Sequence, residues 1–439
     1  MRKNTLFLVI MLTFALGSCK KSDPVTTDPT TGNRPNILLI IADDIGIEAT
    51  PGYSIGAIKP SMPNLQKLAA TGITFDNAWA YPVCSPTRAS ILTGRYGYRT
   101  EVLNATNAAQ ISTTETSIQK YLDANTANAY SHAVIGKWHL SNSALNPGQM
   151  GVGYYAGLLK GALTDYNEWP LVENEQETTY QGYCTTKFTD LAIDWIKQQN
   201  KPWFCWLAYT APHTPFHLPP TGLHSQGALP NNQASIDANP TPYFMAMTES
   251  IDFEIGRLLN SISPDELENA LIIFLGDNGS HRQVIQAPYA ATQAKGTLYQ
   301  GGIHVPLIVS GKGVSRAGER ESSLISTTDF FATIAEIAGV PLPTYQDSYS
   351  FQPLLTSNTT GTRIYNYSEV LTTSSADKSG YAIRNTQYKL IVFDSGQKQL
   401  YDLVNDPYEK NDLTEGGVLT TEQSTALAEL ENKAGEIRK

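Results

Sequence analysis

The sequence is poor in cysteine and has no excess of basic residues. Four cysteines in 439 residues are far below the density of a disulfide-built scaffold. Lys and Arg number 31 against 41 Asp and Glu, a formal net charge of −10, and no basic run occurs. We therefore expect no binding to a nucleic-acid backbone. Hydrophobic residues make up 41% of the chain, which is enough for a large core and excludes global disorder.

The first residues have the pattern of an export signal. A short apolar run from Leu6 to Leu16 follows two basic residues, and Leu16-Gly17-Ser18-Cys19 resembles a bacterial lipobox. We predict a lipoprotein signal peptide over 1–18, cut before an acylated Cys19, and a flexible tether over 19–33. The alternative is an ordinary signal peptide with a chance cysteine. The lipobox predicts an exported bacterial lipoprotein of the periplasm, outer membrane or cell surface that contacts the membrane only through its lipid.

Between residues 34 and 345, short apolar runs alternate with amphipathic stretches. Continuous apolar runs of this length are typical of strands buried on both faces. Their alternation with helices predicts an α/β domain with a large, mostly parallel sheet flanked by helices. The predicted strands are Asn36–Ile41, Ala133–Ile135, Trp203–Ala208, Ala270–Leu275 and Val305–Val309. The predicted helices are Pro63–Thr71, Thr116–Leu122, Phe188–Gln198, Glu249–Ser261 and Thr327–Ala338.

The remaining residues, 346–439, have the pattern of a smaller subdomain. Composition shifts over 341–362, where Pro, Ser, Thr and Gly are typical of a linker. Short, partly alternating strands follow, with a turn at 394–396, and a polar helix from Thr421 to Arg438 closes the chain. We expect a C-terminal α+β subdomain with an antiparallel sheet. The predicted strands are Ile364–Val370, Tyr381–Arg384, Tyr388–Phe393 and Gln399–Leu403.

Acidic residues stand where two predicted strands end. Asp43 and Asp44 follow the first strand directly, and Asp277 and Asn278 follow another. Open α/β sheets place ligands at the carboxyl ends of their strands, and adjacent carboxylates are costly to hold together without a cation. An all-oxygen donor set suits a hard cation such as Ca²⁺ or Mg²⁺ better than zinc. The alternative is that these residues cap a helix and form a turn.

Cys84 is the odd cysteine of the chain. Cys184 and Cys205 could bridge in an oxidising compartment or remain buried free thiols, which leaves Cys84 without a partner. Pro86 fixes a turn from which a helix can start, and the N–H groups of its first turn, together with Arg88, favour an anion nearby. The pattern is compatible with a reactive thiol of low pKa, but from these residues alone a plain buried cysteine beside a structural ion pair is the more usual case.

The segment around Cys84 carries the signature of a known family. It reads Cys84-Ser85-Pro86-Thr87-Arg88 and then Leu92-Thr93-Gly94-Arg95, which resembles the formylglycine-dependent sulfatases of the alkaline-phosphatase-like superfamily. In that family a maturation enzyme oxidises the cysteine of the Cys-x-Pro-x-Arg motif to Cα-formylglycine. Mild departures are Thr87, Ser280 and His304, which stand where Ser, Gly and Arg are commoner. Further matches follow in the family's order: Pro35–Asp44, Gly136–His139, Ala211–Pro215, Gly276–Gly279, Lys295–Tyr299, Gly301–Pro306, Tyr388–Leu390, Leu400–Leu403 and Asp406–Pro407.

The resemblance implies one divalent cation, Ca²⁺ before Mg²⁺. It implies that this cation lowers the pKa of a hydroxyl of the hydrated aldehyde and neutralises sulfate oxygens. That hydroxyl would attack sulfur and expel the alcohol, which leaves a sulfated hemiacetal on the enzyme. The implied ligands are Asp43, Asp44, Asp277, Asn278 and the modified Cys84.

The same resemblance implies roles for basic side chains. Arg88, Lys137 and Lys295 would stabilise the modified residue and the sulfate. His213, with Lys295 as a second candidate, would protonate the departing alkoxide, and His139 would then take the second hydroxyl proton so that sulfate leaves. Taken singly, each has a plainer explanation, such as a surface lysine or a satisfied core histidine. Candidates for substrate recognition are His217, His224, His281, Arg282 and His304.

These expectations together describe an exported sulfuric ester hydrolase. We favour a sulfated carbohydrate as its substrate, because a tethered surface protein with 23 Tyr and 6 Trp suits the degradation of a polysaccharide. One alternative is a phosphomonoester or phosphonate hydrolase of the same superfamily, since a similar oxyanion clamp accepts phosphorus. The other is a non-catalytic, lipid-anchored glycan-binding protein, against which the intact motif set argues.

Overall fold

The strand that the sequence predicts first is buried at every residue, from Asn36 to Ala42. The computed structural model describes residues 34–106, 110–372 and 375–439, and those described residues belong to one compact unit. The predicted signal peptide and tether, 1–33, lie outside them. In the described part of the chain, none of the helices has the length and hydrophobicity needed to cross a membrane.

Strands and helices alternate through the first part of the chain, as the apolar runs predict. The strands of the large sheet are β1 (Asn36–Ala42), β2 (Gly72–Trp79), β3 (Ser131–Lys137), β4 (Tyr154–Leu158), β5 (Glu168–Glu173), β6 (Gln176–Gln181), β7 (Trp203–Ala208), β8 (Ala270–Gly276), β9 (Leu307–Gly311) and β10 (Glu319–Ser326). The helices are α1 (Pro63–Thr71), α2 (Cys84–Thr93), α3 (Gly97–Thr100), α4 (Ile118–Thr126), α5 (Asn146–Gln149), α6 (Cys184–Ile196), α7 (Gln233–Ala238), α8 (Thr241–Ser261), α9 (Pro264–Glu268), α10 (Gln300–Ile303) and α11 (Phe330–Ile337). Short 3-10 helices lie at Ile47–Ala49, Ala291–Gln293, Thr327–Asp329 and Gln352–Leu355.

The ten strands form one mixed sheet in the order β10-β2-β9-β8-β1-β7-β3-β4-β5-β6. Its centre, from β8 to β4, is parallel, whereas β9 runs antiparallel to both β2 and β8, and β5 and β6 extend the other edge. Alternate residues of β1 enter two hydrophobic clusters, Leu38 and Ile40 in one, Leu39 and Ile41 in the other. Both faces of the sheet are therefore covered, which confirms the predicted α/β class.

A second, antiparallel sheet follows the first, as predicted. Its four strands pair in chain order, and the terminal helix begins with a capping box at Thr420. The elements are β11 (Thr344–Tyr345), β12 (Ser348–Tyr349), β13 (Asn366–Val370), β14 (Gly380–Arg384), β15 (Tyr388–Phe393), β16 (Lys398–Asp402) and α12 (Thr421–Ile437), of which β13 to β16 form the sheet and β11 and β12 a separate hairpin.

The stretch 341–362, whose composition is typical of a linker, packs against the large sheet instead. Phe351 is buried, with its ring centroid 5.5 Å from that of Phe75 and 5.6 Å from that of Phe330. Leu354 and Leu355 are buried in the same cluster. These apolar side chains pack into the core, although the Pro and Ser content of the segment is typical of an exposed linker. The domain boundary after residue 345 stays a prediction.

Candidate active site

The carboxyl ends of β1 and β8 bring four oxygen-bearing side chains together. The two strands pair in parallel up to Ala42 and Gly276, so the residues that follow leave the sheet side by side. The N–H of Asp44 donates to Asp277 Oδ1 at 3.1 Å, and Asn278 Nδ2 donates to Asp44 Oδ1 at 2.8 Å. Asp44 has a left-handed backbone, with φ of 70°. Non-glycine residues rarely adopt this conformation, and functional sites are where it is often retained.

Cys84 is the first residue of α2, and its sulfur lies inside this group. The Sγ atom is 3.3 Å from Asp43 Oδ1, 3.3 Å from Lys137 Nζ and 3.7 Å from Lys295 Nζ. Burial, reinforced by the charge of Asp43, raises the pKa of the Cys84 thiol. The environment therefore keeps the thiol protonated and does not favour a reactive thiolate.

Cys184 and Cys205 are both free and buried. Of the two alternatives for this pair, the structure shows unbridged thiols. Burial raises the pKa of each, so both are chemically quiet.

Two buried cations and one partly buried cation, Lys295, each contact one of the three carboxylates. The formal charges of these six side chains cancel, because three are positive and three are negative. Lone charges would be far more costly to bury than such pairs. The pairs are Lys137 with Asp43, Lys295 Nζ with Asp44 Oδ1 at 2.5 Å, and the Arg88 guanidinium with Asp277 Oδ2 at 2.8 Å.

The carboxyl groups do not titrate alike. Burial raises the pKa of Asp43, but Lys137, His213 and Arg88 together outweigh burial and leave that pKa below its usual value. Lys295, His213 and Lys137 together do the same for Asp44. The pKa of Asp277 stays raised, because the negative charge of Asp43 adds to the effect of burial. The mutual repulsion of these carboxylates is the kind of strain that a bound cation relieves.

The donor set fits a hard divalent cation. Ligand atoms of Asp43, Asp44, Cys84 and Asp277 all lie within 4.8 Å of one another. Two buried oxygens here, Asp44 Oδ2 and Asn278 Oδ1, have no hydrogen-bond partner among the described residues. Buried oxygens are nearly always satisfied, so these two have room for a metal ion. Apart from one sulfur, every donor is an oxygen, which suits Ca²⁺ or Mg²⁺ better than zinc.

His213 borders the cluster on the side of Asp44. Its Nε2 lies 3.9 Å from Asp44 Oδ2, and its Nδ1 donates to the carbonyl oxygen of Thr214 at 2.7 Å. The hydroxyl of Tyr166 donates to the carbonyl of His213 and steadies the loop. Burial lowers the pKa of His213, while Asp44 opposes that effect. The ring thus presents Nε2 to the site, ready to exchange a proton.

His139 is anchored beside Cys84 through its backbone. Its carbonyl accepts from Ser85 Oγ at 2.8 Å, and its ring Nε2 lies 3.2 Å from the carbonyl oxygen of Ala105. A Cβ on Gly161 would come within 2.2 Å of that ring, so only glycine fits there. Burial, with the charge of Lys137 next, lowers the pKa of His139 well below its usual value. Among the described residues no hydrogen bond joins this ring to Cys84, whereas direct contacts link all the other residues predicted for catalysis and metal binding.

Comparison with known proteins identifies the family. A model described as "Sulfatase" matches residues 35–340, more than half of the chain. The chain belongs to the sulfatase family. A second model, "N-sulphoglucosamine sulphohydrolase, C-terminal", matches residues 292–436 of this sulfatase. The match confirms the predicted family and the predicted enzyme class, sulfuric ester hydrolase.

Individual relatives agree with this assignment. The sulfatase is 28% identical over 380 residues to the uncharacterized sulfatase YdeN of Escherichia coli K12, covering 73% of this chain and 66% of YdeN, about two thirds of that relative. It is 26% identical over 458 residues to the ulvan-active sulfatase of Formosa agariphila, covering 98% and 87% of the two chains. The crystal structure of Ps i-CgsB superposes with a TM-score of 0.77 and 26% identity, covering 91% and 93%.

Two of the histidines suggested for substrate recognition in this sulfatase are occupied elsewhere. His217 Nε2 lies 3.2 Å from the hydroxyl of Tyr183, and His304 Nε2 donates to the carbonyl of Asp76 at 2.7 Å. Burial lowers the pKa of each to about 4. Both are therefore neutral near pH 7, His304 as a buried residue and His217 as a half-buried one. His281 is half-buried, and the charge of Asp44 acts on its pKa, so it stays near the site.

Sequence reasoning missed the role of two hydroxyl groups, those of Thr87 and Ser280, in aligning the site. Thr87 Oγ1 donates to the carbonyl of Asp277 at 2.7 Å and thereby ties α2 to the end of β8. Ser280 Oγ accepts from the N–H of Gly46 at 3.0 Å, which joins the loops after β1 and β8. Both positions are departures from the family pattern, and the only sequence signal for either is its place inside a motif.

Proposed function

We propose that this sulfatase removes sulfate from sulfated carbohydrates outside the cytoplasm, using Cα-formylglycine formed at Cys84 by a maturation enzyme, and one Ca²⁺. One observation carries the proposal: the sulfur of Cys84 lies between a cluster of carboxylate oxygens that suits a metal cation and two lysine ammonium groups. An unmodified thiol in this position is protonated and a poor nucleophile. Oxidation to the aldehyde removes that obstacle.

The chain's own residues divide the work of binding. When bound, the cation and the hydrated aldehyde supply an activated hydroxyl and neutralise negative oxygens. Lys137 and Lys295 surround the position of the Cys84 side chain and stabilise negative charge on sulfate. Arg88 instead donates to Asp277 and to the carbonyl of Lys137 at 2.7 Å, so it holds a cation ligand in place. The four ligands from the chain, apart from residue 84, are Asp43, Asp44, Asp277 and Asn278.

The two histidines take opposite proton-transfer roles. His213 protonates the leaving alkoxide, because an anionic ester beside it raises its pKa and its Nδ1–H is already fixed on a carbonyl. Lys295 is the weaker acid: burial lowers its pKa, but Asp44, Cys84 and Asp43 together outweigh burial and raise it. His139 is held neutral by burial and nearby cations, which suits a base. Its Nδ1 is buried without a hydrogen-bond partner among the described residues.

Relatives support a carbohydrate substrate. The ulvan-active sulfatase aligns with 98% of this chain. Ps i-CgsB, whose fold this chain shares, has been crystallised with k-i-k-neocarrahexaose. The lipobox at Cys19 supports export as a lipoprotein, where such polymers are met.

Replacement of Cys84 by alanine tests the proposal. We expect Cys84→Ala to lower sulfate release from an aryl sulfate and from sulfated oligosaccharides by at least about a thousandfold, as loss of a nucleophile does in other hydrolases. Cys205→Ala, at an equally buried thiol, is the matched control and should stay active. Mass analysis of the Cys84 peptide should show a loss of about 18 Da on conversion of the thiol to the aldehyde. Full desulfation by protein with an unmodified thiol would disprove the mechanism.

A further inference from the structure

The segment that carries Lys295 is held at both ends by two adjacent residues in the C-terminal part of the chain, Tyr408 and Glu409. At the far end, the N–H of Gln300 donates to Glu409 Oε2 at 2.5 Å. At the near end, Gln293 Nε2 donates to the carbonyl oxygens of Tyr408 at 3.1 Å and Glu409 at 3.4 Å. Glu409 is buried and has a left-handed backbone, with φ of 57°. We call residues 293–300 the lysine segment.

Glu409 is itself fixed by a closed set of contacts. Its second carboxylate oxygen accepts from Lys389 of β15, which is fully buried. The Lys389 ammonium lies 5.0 Å from the centre of the Trp79 ring, and Trp79 Nε1 donates to Gln300 Oε1 at 2.9 Å. Contacts among four residues therefore restrain the positions of their side chains: Trp79 of β2, Gln300 of α10, Lys389 of β15 and Glu409 in the loop after β16. A buried ion pair adds little net stability, so its usefulness here lies in fixing geometry.

Inside the lysine segment, two backbone hydrogen bonds restrain the chain next to the Lys295 side chain. The N–H of Gly296, whose φ is 85°, donates to the carbonyl of Pro82 at 2.8 Å, and the N–H of Lys295 donates to the carbonyl of Ser280 at 3.1 Å. The Lys295 side chain reaches 2.5 Å from Asp44 and 3.7 Å from the sulfur of Cys84. Placement this close to the reacting atoms depends on where the two ends of the segment are held as well as on these two local hydrogen bonds.

We propose that Glu409 is a positioning residue that sets the place of Lys295 in the active site. The C-terminal sheet thereby acts on catalysis although it supplies no group that touches the reacting atoms. The role of Lys295 at sulfate rests on the proposed function. The C-terminal family model begins at residue 292, which agrees with the lysine segment belonging to the C-terminal part.

The test uses the full chain and two neutral replacements of the buried pair. Lys389→Met with Glu409→Gln keeps an oxygen that can accept from the Gln300 N–H. Lys389→Met with Glu409→Leu removes that oxygen. Each double variant removes both members of the Lys389–Glu409 pair, so neither member stays buried without the other, and both double variants are expected to fold. Glu431→Leu, which breaks the exposed contact with Lys398 on the same sheet, is the matched control and should leave activity unchanged.

We call Lys389→Met with Glu409→Leu the leucine version, and Lys389→Met with Glu409→Gln the glutamine version. We expect the leucine version to lose about a hundredfold in kcat/KM on an aryl sulfate, since small displacements of positioning groups have effects of this size. The glutamine version should recover most of that loss. In a Lys295→Ala background, the leucine version should add less than about twofold, because it acts through Lys295. A loss that adds in full to that of Lys295→Ala would show a general structural role and overturn the proposal.

Two measurements do not depend on activity. Hydrogen–deuterium exchange at the Gln300 amide, and trypsin cleavage after Lys295, should both accelerate in the leucine version and not in Glu431→Leu. Unchanged exchange and cleavage would refute the positioning role. Failure of the unaltered protein to release sulfate would overturn the proposed function instead, while exchange and cleavage would still decide whether Glu409 holds the segment.

Discussion

Two of the clusters of buried charge among the described residues, one around Arg363 and one around Cys84, differ in how completely they are satisfied. Arg363 donates to both oxygens of Asp329, at 2.7 and 2.5 Å, to the hydroxyl of Tyr96 at 3.0 Å and to the carbonyl of Asp347 at 2.7 Å. Asp329 also accepts from two backbone N–H groups. Neither residue has a buried side-chain polar atom without a partner in the described part of the chain.

Around Cys84 two of the three ion pairs are equally buried and the third, Lys295 with Asp44, is partly buried, but several buried atoms there have no hydrogen-bond partner within the described ranges. Buried atoms without a hydrogen-bond partner among the described residues include Asp44 Oδ2, Asn278 Oδ1, Arg88 Nε and His139 Nδ1. A cluster whose polar atoms are all hydrogen-bonded has a structural role, whereas buried polar atoms without a partner can bind a metal ion or a substrate. The difference between the two clusters thus separates a structural site from a chemical one without reference to any relative.

The largest expected effect on stability comes from the satisfied cluster. Arg363→Leu leaves the buried Asp329 carboxylate without its cation and should lower the free energy of unfolding by about 3–5 kcal/mol. Urea denaturation measures this loss, and kcat/KM per folded molecule should be kept. Glu431→Leu, at an exposed pair, should change the free energy of unfolding by less than about 1 kcal/mol. Equal losses in the two variants would break the comparison.

Metal addition probes the unsatisfied cluster. Ca²⁺ at a hundred times its dissociation constant should raise the free energy of unfolding of the chelator-treated protein by about 2.7 kcal/mol. Asp277→Asn should weaken that response, because it removes one negative ligand, while Arg363→Leu should respond in full. Thermal unfolding with and without Ca²⁺ measures both. The same response in Asp277→Asn as in the unaltered protein would contradict the ligand assignment.

The smallest expected effect concerns pH. The pKa of His139 is lowered well below 6.5, so its neutral, proton-accepting form persists as the pH falls through 6.5. Between about pH 7.5 and 6.5, kcat at saturating substrate and Ca²⁺ should therefore lose less than about twofold to protonation of His139, which acts after the alcohol has left. His139→Gln should lower the rate over that whole range. An acidic limb that begins above pH 6.5 and disappears in His139→Gln would contradict the neutral environment described for this ring.

Buried elements with a clear period are predicted well from sequence, and elements defined by their neighbours are not. Trp203–Ala208 and Pro63–Thr71 have the bounds that their patterns predict. α8 begins at Thr241 and not at Glu249, because its first turns are buried all round and show no polar face. β6 was not predicted, since its polar residues form a largely exposed edge and pair only with β5.

The candidate site follows the same rule. The four metal-ligand positions supplied by Asp and Asn could be proposed because they stand at strand ends, where parallel pairing brings them together. The left-handed turn at Asp44 and the contacts of Glu409 with the lysine segment could not. Both depend on chain segments that are distant in sequence and leave no local pattern.

The burial of Cys84 also constrains the order of events in biogenesis. With only 1% of its surface accessible, the side chain is walled in by the packed helix and the strand ends. A maturation enzyme cannot bind the chain around this residue in the folded protein. On the proposed function, the oxidation must therefore happen on the nascent or translocating polypeptide, and a copy that folds first stays inert for its lifetime.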